Sequence, residues 1–193
     1  MSQPLDFFFF YGSLYSYIAV MRIDERARED GVTVRWRPFN LRAIMVEQSN
    51  TARPAAKMNY IWRDLERRTQ AQGLPFRPTP PYPVDPQLRT LRVGTIAAIE
   101  GWCPAFSRAV FSTWFGEHKA PHDNLEIVLR ALGKDPAAVL DQADTPATRV
   151  ALDAQTDVAR ELGIFGAPTF AVGKEIFWGG DRLDEALDWA RGN

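Results

Sequence analysis

A single serine, Ser13, stands where a buried strand is predicted to end and a helix to begin. Residues 7–11 are all aromatic, and such a run indicates a strand that is buried on both faces. Gly12 interrupts the run, and apolar residues recur at helical spacing from Leu14 onward. The Ser13 hydroxyl would lie among backbone N–H groups that lack intrahelical acceptors, where it can cap the helix or help to bind an anion. This edge of the strands is where ligands bind in open α/β sheets.

The elements that must position Ser13 follow a recognisable order. They are a strand, a helix and a strand over residues 7–39, helices and loops over 41–145, a helix over 146–162, and two strands and a helix over 167–193. The first two strands are separated by a helix-length crossover, which predicts that they are parallel. We therefore predict an α/β protein with a thioredoxin-like fold (βαβ…αββα). Residues 1–40 and 146–193 would form the thioredoxin-like domain, and residues 41–145 an all-helical insertion.

A proline at the head of the strand predicted over 167–172 is the second feature with chemical meaning. Pro168 has no backbone N–H and cannot sit inside a paired central strand. Only about 5–6% of X–Pro bonds are cis, but in proteins with a thioredoxin-like layout the proline at this place is cis and faces the first helix. We therefore predict a cis Pro168. Ala167 would then present its N–H and C=O groups to the backbone of a ligand.

Three segments make a resemblance to one family specific. They are Asp6–Tyr17, which contains Ser13, Phe165–Thr169, which contains Pro168, and Phe177–Leu183, whose sequence is FWGGDRL. Together they resemble the signatures of the 2-hydroxychromene-2-carboxylate isomerases. These are relatives of the kappa-class glutathione transferases, within the thioredoxin-like disulfide oxidoreductases that have a helical insertion. The resemblance extends over nearly the whole chain.

The resemblance implies a glutathione-dependent isomerase of aromatic catabolism that acts on a small molecule as a homodimer. Ser13 matches the catalytic serine, which would hydrogen-bond the sulfur of glutathione and hold it as the thiolate, the nucleophilic form. The thiolate would add reversibly to an unsaturated aromatic carboxylate, allow rotation or ring opening, and leave. No net redox change occurs in such a reaction.

The same resemblance assigns the other site residues. Glutathione would be bound by Ser13, Ala167, Pro168, Trp178, Gly179, Gly180 and Asp181. Asp181 would take the α-ammonium group of the γ-glutamyl end, and neighbouring backbone N–H groups would take its carboxylate. Asn50 would contact the substrate or glutathione, and Lys57 would bind a carboxylate of the substrate. A third substrate contact, Tyr82, is predicted from its place in a proline-rich loop over residues 76–86 and not from the resemblance.

Each of these assignments has a structural alternative. Ser13 and Asp181 are both suited to capping a helix, and Trp178 to the core. Asn50 is also suited to a turn, and Lys57 to a solvated helix face. Two other functions remain open: a kappa-like glutathione transferase or peroxidase acting on small electrophiles, and a non-catalytic module that binds a thiol or a peptide.

The chain departs from the family pattern at three positions. Phe10 stands where the family commonly has aspartate, and Leu14 where it commonly has proline. Neither residue supplies the contact with sulfur, so glutathione chemistry remains the prediction. Thr51 follows Asn50 at a position where characterised isomerases have a cation for the substrate carboxylate. This third departure bears on the identity of the substrate rather than on the cofactor.

Composition excludes several other classes of function. The chain has 193 residues and a formal net charge of −1, which predicts no binding to nucleic acid or to an anionic membrane. Its one cysteine, Cys103, cannot form an internal disulfide or a Cys-x-x-Cys pair, and is predicted to be buried and inert. His118 and His122 have no third ligand nearby, so no metal site is predicted. Neither a secretory leader nor an apolar run of roughly 20 residues is evident, which predicts a cytoplasmic protein.

Overall fold

The computed structural model describes residues 2–52, 54–78, 85 and 87–192. The strands are β1 (Leu5–Phe9), β2 (Val34–Pro38), β3 (Thr169–Val172) and β4 (Glu175–Trp178). The helices are α1 (Leu14–Glu29), α2 (Leu41–Glu47), α3 (Ala55–Ala71), α4 (Arg89–Glu100), α5 (Cys103–Glu117), α6 (Pro121–Ala131), α7 (Pro136–Ala143), α8 (Pro146–Glu161) and α9 (Leu183–Arg191). No helix in these ranges has the length and apolarity required to cross a bilayer.

β1 is an inner strand of a four-stranded mixed sheet with the order β2-β1-β3-β4. It runs parallel to β2 and antiparallel to β3, where Phe7 lies opposite Phe170. β3 and β4 form an antiparallel hairpin. Every residue of β1 is buried, as the aromatic run predicts, and the parallel β1–β2 pair confirms the βαβ unit. The thioredoxin-like fold with a helical insertion is therefore confirmed.

The helical insertion packs onto the same core as the sheet. Tyr11 stacks on Phe111 of α5 with ring centroids 5.7 Å apart, and its hydroxyl oxygen lies 2.8 Å from Ser107 Oγ. Tyr17 of α1 stacks on Phe115 at 4.5 Å, and burial raises the pKa of Tyr17 to about 12. Such aromatic pairs contribute about 0.5–1.5 kcal/mol each beyond burial of their area. The insertion thus shares one core with the frame, while the predicted domain limits stay a prediction.

Two boundaries beside the site differ from the sequence prediction for local reasons. β1 ends at Phe9, because the Phe10 carbonyl accepts the Ser13 N–H at 2.9 Å in a turn. The capping role of Asp181 is wrong: Gly180–Arg182 is a 3₁₀ turn, and α9 begins after it without a side-chain cap. The Asp181 carboxylate is exposed and is therefore available to a ligand.

The one cysteine lies at the start of α5, inside the core. Cys103 is 1% exposed, and burial raises the pKa of its thiol to about 12. Since the thiolate is the reactive form, we expect no reaction of the native protein with a disulfide reagent at pH 8, and one equivalent after unfolding in guanidinium.

A Ser13→Cys variant provides the positive control for that measurement. Its new thiol would lie at a helix N-terminus beside a cavity, where a cysteine pKa is lowered, so one of its two thiols should react in the native state. Rapid reaction of the native wild-type chain would contradict the burial of Cys103.

Candidate functional site

Ser13 connects the start of α1 to a segment that is 154 residues further along the chain. Its Oγ accepts a hydrogen bond from the Ser16 N–H at 3.3 Å, and donates one to the Ala167 carbonyl at 2.8 Å. The Ala167–Pro168 peptide is cis, as predicted. The serine is therefore both a helix cap and a direct neighbour of the cis proline, so the two interpretations of Ser13 are compatible.

The backbone around Pro168 is fixed on both sides. Thr169 Oγ1 donates to the Gly166 carbonyl at 2.9 Å, and the Gly179 N–H donates to the Pro168 carbonyl at 3.0 Å. These bonds join the segment before β3 to the end of β4. Hydrogen bonds on both sides therefore hold the Ala167 backbone in place beside Ser13.

The indole of Trp178 lies directly over Gly166. A Cβ atom at residue 166 would come within 2.3 Å of the indole Nε1, which no real contact allows. Phe165 packs edge-on against the indole, with ring centroids 4.9 Å apart. Trp178 is 56% exposed, so its interpretation as a core residue is wrong. Its ring instead forms part of the surface of the site.

A cavity of about 190 Å³, here called the Lys57 cavity, opens on one side of Ala167 and Trp178. Its lining is largely apolar, with Phe10, Leu41, Met45, Met58, Ile61 and Phe165 among the contributors. Its polar side chains are Ser13, Tyr15, Arg42, Asn50 and Lys57. Among the described residues that line it, none is acidic. The Lys57 cavity therefore combines an apolar surface with an excess of positive charge.

A second cavity of about 260 Å³, here called the Asp181 cavity, shares Tyr15, Ala167 and Trp178 with the first. Its remaining lining is Ile18, Arg68, Pro168, Gly179, Gly180 and Asp181. Gly179 has φ +118°, and a Cβ there would lie 2.5 Å from Asp181 Oδ1, so the close approach of this turn requires glycine. Among its described lining residues, the Asp181 cavity has one acidic side chain, Asp181, and one basic side chain, Arg68.

Tyr15, Asp64 and Arg68 form a linked group at the wall of the Asp181 cavity. The Tyr15 hydroxyl donates to Asp64 Oδ2 at 3.0 Å, and Arg68 Nε lies 2.8 Å from the same oxygen. Burial, and then Asp64, raise the pKa of Tyr15. Burial also raises the pKa of Asp64, but hydrogen bonds from Tyr15 and Arg67 outweigh it, so this pKa is lowered overall. At neutral pH Tyr15 is neutral and Asp64 ionised, and the pair holds Arg68 in place.

The structure brings together the residues that the sequence assigns to the site. The residues assigned to glutathione besides Ser13 all border the Asp181 cavity: Ala167, Pro168, Trp178, Gly179, Gly180 and Asp181. Ser13, Asn50 and Lys57 border the Lys57 cavity. Tyr82 lies outside the described residues. Thr51 is exposed.

Three residues of the site were missed from the sequence: Arg42, Arg68 and Gly166. Arg68 lies on α3 with Arg63 and Arg67, and nothing in the spacing separates it from those. Arg42 is the one arginine of the short helix α2, and nothing in the sequence around it indicates a site. Gly166 had a usable signal, because a glycine two residues before a predicted cis proline suggests a close approach of another group.

Comparisons with known proteins agree with this geometry. Residues 4–188 match the family of the DsbA-like thioredoxin domain. The 2-hydroxychromene-2-carboxylate isomerase of Pseudomonas putida is 31% identical over 189 residues, which cover 93% of this chain and 90% of that protein. The protein of the same name from Sphingobium xenophagum is 26% identical, with 95% and 96% covered. A solved structure of 2-hydroxychromene-2-carboxylate isomerase matches with a TM-score of 0.86 at 30% identity, covering 98% of this chain and 94% of that one.

The family model and the Pseudomonas putida relative both extend over nearly the whole chain. The region that the family model matches, residues 4–188, contains Ser13, Pro168 and Asp181. The solved structure shows that the similarity includes the fold of the insertion as well as the frame. The chain therefore belongs to the 2-hydroxychromene-2-carboxylate isomerase family, with the fold of a DsbA-like thioredoxin domain.

Proposed function

We propose that this protein is a glutathione-dependent isomerase of the 2-hydroxychromene-2-carboxylate isomerase type. The observation that supports this most is the position of Ser13, which borders the Lys57 cavity and donates to Ala167, the residue that precedes cis Pro168 and borders both cavities. When bound, glutathione would supply a thiolate that adds reversibly to an unsaturated aromatic carboxylate and then leaves. The residues of the chain would bind and orient glutathione and the substrate, and would stabilise their negative charges.

The Asp181 cavity fits the γ-glutamyl end of glutathione. Asp181 is exposed and takes no part in capping α9, so its carboxylate can accept an α-ammonium group. Gly179 and Gly180 border this cavity, and the positive φ of Gly179 lets the turn approach the Asp181 side chain closely. The Trp178 indole, which lies over Gly166, borders both this cavity and the Lys57 cavity that Ser13 lines.

Ser13 can change its acceptor when a peptide pairs with Ala167. The Ser13 hydroxyl donates to the Ala167 carbonyl, and a peptide N–H from the ligand would take over that carbonyl as its own acceptor. The Ser13 proton is then free to point to a sulfur anion, while Oγ still accepts the Ser16 N–H. Backbone pairing and thiolate stabilisation are coupled in this arrangement, and the N-terminus of the 16-residue helix α1 adds to the stabilisation.

The Lys57 cavity fits an aromatic carboxylate. Phe10 and the exposed edges of Phe165 and Trp178 offer ring surface, which suits a flat aromatic body. Lys57 and Arg42 supply positive charge, with no acid among the described lining residues to neutralise it. An anionic aromatic compound would therefore lie against Ser13 from this side.

Glutathione is expected to stabilise the protein against heat. A ligand at 100 times its Kd adds about 2.7 kcal/mol, which raises the Tm of a chain of this size by several degrees. Asp181→Asn should reduce the shift, because it removes the charge opposite the ammonium group. The matched control is Asp153→Asn, which removes an exposed aspartate on α8, outside both cavities. A wild-type chain with no shift at millimolar glutathione would refute the cofactor assignment.

Turnover then separates the isomerase from the transferase. An isomerase should convert 2-hydroxychromene-2-carboxylate only when glutathione is added, and should leave the amount of free thiol unchanged. A transferase should instead consume glutathione when it is given a chloronitrobenzene. Glutathione binding without either activity would favour the non-catalytic binding module.

A further inference from the structure

Arg42 is a half-buried cation on the wall of the Lys57 cavity. It lies in α2, and its Cζ is 6.0 Å from the centroid of the Phe10 ring. A cation–π contact of this kind holds a guanidinium against an apolar surface without neutralising its charge. The position of the group is therefore defined while its charge remains available.

The carboxylates near Arg42 are engaged elsewhere. Glu47, in the same helix, forms a two-point pair with Arg160 at 2.6 and 2.9 Å. Asp85 borders a small cavity of about 10 Å³ that Arg42 also lines, but its oxygens accept the N–H groups of Gln87 and Thr90 at 3.2 and 2.5 Å. Within the part of the chain that the structure describes, no acidic side chain pairs with Arg42.

Lys57 is the other cation of this cavity, and it differs from Arg42 in two ways. Lys57 is exposed, so water and salt screen its charge more than that of a half-buried group. Its ammonium group is a point charge on a flexible stem, whereas a guanidinium presents a planar fork that matches both oxygens of a carboxylate. Arg42 is thus the better carboxylate receptor of the two.

We propose that Arg42 is the residue that binds the carboxylate of the aromatic substrate, with the ring of the substrate against Phe10 and the neighbouring apolar side chains. This deepens the proposed function and rests on it. Lys57 then remains for a second acidic oxygen, so the cavity suits an aromatic carboxylate that has a phenolic or enolic oxygen as well. Arg42 of α2 would thereby compensate for the absence of a cation at Thr51, which lies in the loop after that helix.

Binding of two small probes tests the assignment without any turnover. Salicylate and salicylamide share a hydroxylated ring and differ in the carboxylate, and isothermal titration calorimetry gives a Kd for each. Arg42→Gln should raise the Kd of salicylate about tenfold or more, because a hydrogen bond between charged groups is lost. The same variant should change the Kd of salicylamide by less than about twofold. Arg42→Lys should retain part of the affinity for salicylate.

Two further variants make the result specific. Arg149→Gln removes an exposed arginine of α8, away from both cavities, and should leave both affinities unchanged. Lys57→Gln should affect salicylate less than Arg42→Gln does. A tenfold loss in Lys57→Gln without one in Arg42→Gln would overturn the proposal, as would equal affinity of the wild-type chain for the two probes.

The Tm shift caused by glutathione, measured on the same variants, tests the glutathione assignment separately from the Arg42 carboxylate site. A normal Tm shift in Arg42→Gln together with weaker salicylate binding supports both assignments. A wild-type chain that prefers salicylate through Arg42, but is not stabilised by glutathione, supports the carboxylate site and refutes the cofactor. A normal shift with no effect of Arg42→Gln on salicylate refutes the carboxylate site alone.

Discussion

Replacement of Ser13 by alanine is expected to raise the pKa of the thiol of bound glutathione by about one to two units. A hydrogen bond to a charged group contributes about 1.5–3 kcal/mol, and one pKa unit corresponds to 1.36 kcal/mol. The rate of isomerisation at neutral pH should fall by at least the same factor of about 10 to 100. Ultraviolet absorbance of the thiolate, titrated against pH in the complex, measures the change directly.

Ser16→Ala is the matched control, since it removes a hydroxyl one turn further along the same helix. Ser16 is fully buried, and its Oγ finds no partner within the described residues, so its loss should leave the thiol pKa unchanged. Ser13→Ala also removes a helix cap, which costs about 0.5–2 kcal/mol of stability, and denaturation should be measured in parallel. A thiolate that persists at wild-type level in a folded Ser13→Ala protein would exclude Ser13 from this role.

The frame around Ser13 could be predicted because its signals are local. Three consecutive buried phenylalanines, Phe7 to Phe9, leave no room for a solvated face. Pro168 cannot donate a backbone hydrogen bond, whatever surrounds it. The short helix α2 also has a local signal, because the Asn40 side chain caps it by accepting the Ala43 N–H.

Two arginines in the walls of the cavities were not predicted from the sequence, because their positions depend on how the helices pack. Arg42 borders the Lys57 cavity because α2 lies beside Phe10, and Arg68 borders the Asp181 cavity because α3 packs on α1. Asp181 was assigned to the site from the sequence, but its position relative to α9 was not. Its spacing before an amphipathic helix is that of a cap, but the intervening 3₁₀ turn and the positive φ of Gly179 move it off the helix end.

Under the proposed function Ser13 acts on two molecules, and the two cavities differ in charge as that proposal requires. The Asp181 cavity has an acid to receive an ammonium group, and the Lys57 cavity has bases to receive an anion. Ser13 borders the second and is bonded to Ala167, which borders both. Under that proposal the zwitterionic γ-glutamyl end of glutathione would bind in the Asp181 cavity and the anionic substrate in the Lys57 cavity, with Ala167 bordering both.

Gly166→Ala is expected to weaken glutathione binding about tenfold or more while leaving the fold intact. The new methyl group would lie 2.3 Å from Nε1 and 2.9 Å from Cε2 of Trp178, so the indole must swing away from the site. Trp178 is more than half exposed, and the chain therefore loses little stability when the ring moves. It does lose a wall that both cavities share, and binding of the aromatic substrate should weaken together with that of glutathione.

Gly180→Ala is the matched control for Gly166→Ala, because it adds the same methyl group within the same site. Its Cβ would meet Pro168 Cγ at 3.8 Å, an ordinary van der Waals contact, so glutathione affinity should change by less than about twofold. Calorimetry gives both affinities, and tryptophan fluorescence reports the new position of the indole in Gly166→Ala. If Gly166→Ala binds glutathione as tightly as the wild type although its indole has moved, Trp178 is not part of the binding surface. Equal losses in the two variants would instead mean that this corner tolerates no added volume, and that the placement of the indole over Gly166 has no separate role.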